Sequence, residues 1–348
     1  MTGDDAGVSR RAYLKGIGGT TLLGSTGLAG CSGVTGSSSG LDELRVAYMP
    51  IYPDMQYFVM EEEGYFDELS VPVTGEQFPD GPSIVQASAK GNFDVMMFGV
   101  VPAMIIMDKG IPSKITAANI ENAMKVLASD EFAALWDEHG KDAFAKFEEQ
   151  HGRKFTFGTF PPGSVPDILL RYWIDQELGL DPEKDVNITG LGGASAVQQA
   201  LLAGEVDGTS IMEPVPTIVE QEDAPFQSIA WAGDFMPGQP AAVTLMHDRL
   251  REDNTEIAVE FLRQHRKATD LAVNEPETAA GHAASFIDSL EESTAQAAMD
   301  SRASAFVSDP HAIEEHAVTF SEYANRLGKT DQNLSKSAMF DFEVYDSL

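Results

Sequence analysis

The chain has 348 residues, with 23 Lys+Arg against 55 Asp+Glu, a formal net charge of −32 and a single cysteine. Such a charge repels phosphate backbones, which argues against a nucleic-acid partner, and one cysteine cannot build an internal disulfide, a Cys-based zinc site or an iron–sulfur cluster. The hydrophobic fraction of 43% is ordinary for a folded protein, so the scattered acids read as a solvated surface suited to high salt, and the length predicts two domains or lobes.

The first thirty residues read as an address. Ser9-Arg10-Arg11-Ala12-Tyr13-Leu14-Lys15 resembles the twin-arginine export signal, and a Gly-rich apolar stretch follows. The stretch is too short for a bilayer, which needs roughly 20 apolar residues. It ends at Leu28-Ala29-Gly30-Cys31, which resembles a lipobox, so Cys31 is the expected lipidation site. Residues 1–30 hold three bases (Arg10, Arg11, Lys15) and two acids (Asp4, Asp5), so the remainder carries −33 and the acidity belongs to the exported part. Residues 31–43 are a Ser/Gly-rich tether. Its Gly36-Ser37-Ser38-Ser39-Gly40 matches a nucleophile elbow only formally, because no strand precedes it. Localisation on the outer face of the cell membrane through a lipid anchor follows as the expectation.

The body alternates strand and helix. Strands are expected at 44–48, 71–78, 93–98 and 115–118, with helices at 54–63, from 83 to about 90, and at 101–109. Gly64, Gly91 and Gly110 stand where these helices stop. Residues 130–152 are charged and amphipathic, with Phe132, Leu135, Trp136, Phe144 and Phe147 as candidate apolar positions. The rhythm then restarts, with strands at 155–159, 186–189, 206–212 and 241–246 and helices at 164–178 and 194–203. Helices are expected over 255–273, 276–287, 293–306 and 310–327. A βαβα order predicts largely parallel sheets covered by helices, with ligands at the carboxyl ends of the strands.

Phe78-Pro79-Asp80-Gly81-Pro82-Ser83, followed by Ala89-Lys90-Gly91-Asn92-Phe93-Asp94, resembles the F-x-x-G-x-x … A-x-G-x-x-D pattern of ABC-importer substrate-binding proteins of the nitrate/sulfonate/taurine type. Gly163-Ser164-Val165-Pro166-Asp167, the run Leu202 to Gly208, and Met212-Glu213-Pro214 match the second lobe of that family, whose members often have Trp-Glu-Pro at the last. The resemblance runs from about Leu44 to Asn274, and with the acidity it fits a halophilic archaeon. It implies an α/β protein of the type II periplasmic-binding fold, with two α/β lobes around a hinged cleft. The first lobe is expected at 44–118 plus 248–348 and the second at 119–247, with crossing segments near 118–123 and 240–247. It further implies a monomeric, non-enzymatic lipoprotein without cofactor or metal, whose partners are a small-molecule ligand, an ABC permease and its ATPase subunits.

Three helices begin after Gly-containing loops, and helix N-termini with small residues can hold an oxyanion. The residues expected at the ligand are Ile51, Tyr52, Phe78, Asp80, Gly81, Gly99, Val100, Gly163, Ser164, Val165, Gly193, Ala194 and Glu213. Plain alternatives stand beside several of them. Ser164 with Asp167 forms a capping-box-like pair, Tyr52, Phe78 and Phe98 are equally core residues, and Glu213 is equally a rim or hinge salt bridge. The cleft loops contain no Lys or Arg, which favours a zwitterion such as an amino-sulfonate over a dianion: its oxyanion would sit at helix N-termini and its ammonium at Glu213. In the family the acid before Pro is a ligand residue in some members. His311 and His316 are five apart and diverge by about 140° on a helix, so they do not make a zincin pair. Thiamine-pyrimidine proteins of the same fold carry a cysteine cluster that this chain lacks, and a ligand-sensing receptor subunit is a further alternative.

Overall fold

The computed structural model describes residues 40–348. The export signal, Cys31 and nearly all of the tether lie outside the described residues.

The first sheet is built from β1 (Leu44–Tyr48), β2 (Val73–Gln77), β3 (Val95–Gly99), β4 (Ser113–Glu121), β10 (Pro240–His247) and the short β11 (Ala305–Phe306), in the order β11-β4-β10-β3-β1-β2. The second contains β5 (Lys125–Ser129), β6 (Thr156–Thr159), β7 (Asn187–Gly190), β8 (Gly208–Ile211) and β9 (Phe226–Trp231), in the order β7-β6-β8-β5-β9. β1 pairs parallel with β2 and β3, and β6 with β7 and β8. Each sheet admits an antiparallel strand into its interior, and the short β11 adds a second antiparallel strand at the β4 edge of the first. β10 enters between β3 and β4, and β5 between β8 and β9. The sheets are therefore mixed rather than purely parallel.

Helices α1 (Met55–Glu62), α2 (Gly81–Ser88) and α3 (Val100–Asp108) belong to the first lobe. Helices α4 (Asp130–His139), α5 (Ala143–His151), α6 (Val165–Tyr172), α7 (Ala194–Leu202) and α8 (Val215–Gln221) belong to the second. Gly64 and Gly110 terminate α1 and α3 with φ of +69° and +76°, a region in which only glycine is unstrained. The charged segment at 130–152 is two helices, and its aromatic stripe explains them. Phe132, Phe144 and Phe147 are buried against Phe155 and Phe157 of the second sheet, with Leu135 and Trp136 at the margin.

The chain crosses between the sheets twice, at 122–124 and at 232–239. Asn122, in the left-handed region at φ +55°, ties the two passages together. Its Oδ1 accepts from the backbone N–H groups of Gly238 (2.8 Å) and Gln239 (3.0 Å), and its carbonyl accepts from Trp231 Nε1 at 2.7 Å. The expected crossings at 118–123 and 240–247 are thus displaced. Residues 119–121 complete β4, and 240–247 are a strand of the first sheet rather than part of the second lobe. β10 is apolar and buried on both faces, so its composition does not reveal which sheet it joins.

The helices after β10 return to the first lobe, where 255–274 and 276–286 cover α1. Helix 292–299 packs on α8 of the second lobe, and the expected helix over 293–306 stops there because residues 305–306 pair with β4. Among the described residues no helix is long and apolar enough to cross a membrane.

Candidate functional site

The strands of both sheets deliver their connecting loops to one cleft. Met49, Ile51 and Pro53 come from the loop after β1, Gly81 from the start of α2, and Gly99 and Pro102 from the β3–α3 junction. Phe160, Ser164, Val165 and Pro166 come from the β6–α6 loop, Met212 from the end of β8, Met124 from the first crossing, and Ala241 and Ala242 from β10. The cavity they enclose is about 20 Å³ and its walls carry no charged side chain. That is room for about one water molecule.

The lobes meet over this cavity. A Cβ added at Gly99 would stand 3.0 Å from Val165 Cγ2, and one added at Gly193 would stand 2.9 Å from the Pro79 carbonyl of the opposite lobe. Glycine at both positions permits an approach that a side chain would block.

Helix N-termini supply the polarity that the side chains lack. The N-cap of α3 is Gly99, which offers no side-chain acceptor, so the N–H groups of the first turn at Val100 and Val101 face their surroundings uncapped. In α6, Ser164 Oγ accepts from Asp167 N at 3.4 Å, and Asp167 Oδ2 accepts from Gly163 N at 2.9 Å, at φ +92°. The buried Asp167 is paired with Arg171 Nε at 2.8 Å, so its charge is balanced on the side away from the cleft. Ser164 is the one hydroxyl on the cavity wall.

Of the expected residues, Ile51, Gly81, Gly99, Ser164 and Val165 line the cavity. Val100 is buried beside it at the head of α3. Gly163 is turned toward Ile105, and Gly193 with Ala194 meets the other lobe at the cleft margin. Asp80 is an N-cap: its Oδ1 accepts from Ser83 N (2.8 Å) and Ser83 Oγ (2.7 Å). Phe78 stands edge-on to Phe93 at 5.6 Å, away from the cavity. Tyr52 lies beneath the cavity against Phe306, and burial raises its phenol above the usual tyrosine range.

Glu213 is buried behind Met212, and both its oxygens are engaged. Oε1 accepts from Lys125 Nζ at 2.7 Å, and Oε2 accepts from Thr217 N at 3.2 Å and Thr217 Oγ1 at 2.8 Å. Lys125 also donates to Ser301 Oγ at 2.8 Å, joining the second sheet to the C-terminal segment of the first lobe. The position expected to meet a ligand ammonium thus holds the chain's own ammonium.

Met49, Pro53, Pro102, Phe160, Pro166 and Met212 were not among the residues expected at the ligand, although Pro102 and Pro166 stand in the first turns of α3 and α6 and the others follow strand ends. Met124, Ala241 and Ala242 carried no signal, because they reach the cavity only through the crossing.

Under the cavity floor lies a buried polar group of residues. Asp54 Oδ2 accepts from Met49 N and Oδ1 from Asn119 Nδ2, both at 3.2 Å. Asn119 Oδ1 in turn accepts from Thr244 Oγ1 (2.8 Å) and faces His265 Nε2 at 3.1 Å. Burial pushes the Asp54 carboxyl up to about 7 and the His265 imidazole down to about 3.

Two mixed sheets, joined by a double crossing and flanking an interlobe cavity, define a two-lobed α/β fold. The chain is similar in fold to the periplasmic nitrate-binding protein NrtA from Synechocystis PCC 6803 (TM-score 0.72, 14% identity, 88% of each chain covered). It is likewise similar to the alkanesulfonate-binding protein SsuA from Xanthomonas axonopodis pv. citri bound to MOPS (TM-score 0.68, 15% identity, 86% of this chain and 98% of that one). In sequence it is 23% identical over 218 residues to the nitrate import ATP-binding protein NrtC of Synechocystis, covering 60% of this chain and 32% of that one. It therefore spans about a third of the length of that curated relative. The NMT1-like family model matches residues 38–288, and the chain belongs to that family.

Proposed function

We propose that this protein captures a small monoanion with delocalised charge, of nitrate or short-sulfonate type, between its lobes and hands it to a membrane permease served by ATPase subunits. The observation that carries this reading is the cavity itself. It is small, it has no charged wall, and the heads of α3 and α6 adjoin it. A dianion would lack the bidentate cation it needs, whereas backbone N–H groups and helix dipoles suffice for a spread single charge. The relatives named for nitrate and alkanesulfonate support the same class. An amino-sulfonate is disfavoured relative to a plain monoanion, because Glu213 is already paired with Lys125. Any of these anions needs the lobes to part beyond the one-water cavity, and a long-tailed sulfonate needs them to part furthest.

Export by the twin-arginine route and lipid anchoring at Cys31 belong to this proposal and rest on the leader motif alone. Capture works by closure: ligand favours the closed arrangement only by as much as it binds that arrangement more tightly.

The test is a thermal-shift and calorimetry panel on residues 32–348 with nitrate, bicarbonate, methanesulfonate, taurine, sulfate and a hydroxymethylpyrimidine. Nitrate, bicarbonate or methanesulfonate should raise the melting temperature. A response confined to sulfate or to the pyrimidine would overturn the reading.

A further inference from the structure

Three of the residues on the cavity wall, Met49, Ile51 and Pro53, sit on one short loop. The loop is fastened from below by a carboxyl group: Asp54 is the residue after Pro53, is fully buried, and binds Met49 N across the loop. Its only other partner is the neutral amide of Asn119, and no base forms an ion pair with it among the described residues. A carboxyl in this position is unusual, because buried charges are ordinarily paired.

The surroundings are otherwise uncharged. β3 (Val95–Gly99) has no titratable side chain, and the one on β10, His247, stands at the far end of that strand opposite Ser113. From β4 come Asn119 and, at the hinge end, Glu121, whose carboxyl is itself raised by burial. α1 contributes Gln56, which donates to the Asn119 carbonyl at 2.7 Å, and its acids Glu61 and Glu62 lie at the far end of that helix. Helix 255–274 contributes His265, held neutral by burial. Tyr52 precedes Asp54 by two residues, and the Lys125–Glu213 pair stands beyond Tyr52 with its charges mutually cancelled. The charge of the floor is therefore the charge of Asp54.

We propose that Asp54 is a positioning residue of the cleft floor, and that its ionised form opposes capture of an anion while its protonated form permits it. The inference rests on the reading of the cleft as an anion site. An ionised carboxylate one residue below the wall places a like charge against the ligand through a medium of low dielectric. At an effective constant near 20, two like unit charges roughly 10 Å apart oppose each other enough to weaken binding on the order of tenfold. Burial raises the carboxyl toward neutrality, so the switch falls in an accessible range.

The sign follows for stability as well. The folded protein holds the Asp54 proton up to about pH 7 and the unfolded chain releases it near 3.8. The stability it contributes is full below the unfolded value and is lost as the pH rises through the folded one.

The experiment has two arms. Calorimetry with sodium nitrate and sodium methanesulfonate between pH 5.5 and 8.5 should show the wild-type affinity falling on the order of tenfold, and Asp54→Asn should flatten that profile. Bicarbonate is left out because it titrates in the same range. Carbon-13 titration of the wild-type Asp54 carboxyl reads its charge state without ligand and without a variant that must fold. A carboxyl that titrates near 7 together with a falling affinity supports the proposal. A carboxyl that titrates below about 5, or an affinity that is the same at every pH, overturns it and leaves the anion reading intact. If neither anion binds at any pH, the anion reading fails and this inference falls with it.

Discussion

Replacing Gly193 by alanine separates closure from folding. The residue has φ −70° and ψ −166°, extended backbone that alanine also adopts, so the second lobe should form unchanged. The added Cβ would nevertheless lie 2.9 Å from the Pro79 carbonyl oxygen of the first lobe. A carbon–oxygen contact is comfortable at about 3.3 Å or more. The obstacle is backbone, so the relief of about 0.4 Å must come from separating the lobes. Overpacking of this kind costs about 1–3 kcal/mol. Because the overlap exists only when the lobes meet, the whole cost falls on the closed state and appears as roughly a 5–150-fold weaker affinity. Calorimetry with nitrate and methanesulfonate measures it, and urea unfolding should stay within about 0.5 kcal/mol of wild type. Gly281→Ala is the control, since its Cβ would meet nothing nearer than Glu292 Oε1 at 3.9 Å. An affinity within twofold of wild type for Gly193→Ala would refute the claim that this contact belongs to the ligand-capturing state.

Two further outcomes are expected. Lys125→Met leaves Glu213, whose side chain has no exposed surface, without its cation; removing one partner of a buried pair costs about 3–5 kcal/mol, so the urea midpoint should drop sharply, and a loss under about 1 kcal/mol would mean that the pair behaves as a surface one. Raising potassium chloride from about 0.1 to 1 M shortens the screening length from about 10 to 3 Å, so a chain at −32 should melt higher in the concentrated salt; a flat or falling melting temperature would count against self-repulsion as the destabilising factor.

Much of the architecture was legible because it is written locally. Gly64, Gly91 and Gly110 were expected to stop helices, and each has φ between +67° and +76°. Strand and helix alternated where apolar periodicity changed from two to nearly four, and the aromatic positions proposed for 130–152 are the ones that bury or border a core. β5 and β9 escaped notice because they are short and partly polar.

The site divided along the same line. Glycines and helix starts at strand ends can be read from the chain, since a helix N-terminus is a local event, and Gly81, Gly99, Ser164 and Val165 do line the cavity. Glu213 was read correctly as an acid before a proline, but its partner Lys125 lies 88 residues away. Asp54 could be placed at the start of a helix, but nothing local announces that it is buried without a cation. What the sequence alone determined is the order of the elements, the family they resemble and the excess of acid. Tertiary structure decided which sheet receives each crossing strand, which acids are paired and which one lies bare beneath the cleft. Periodicity and turn chemistry act over a few residues, whereas pairing and desolvation depend on what distant segments bring to the same place.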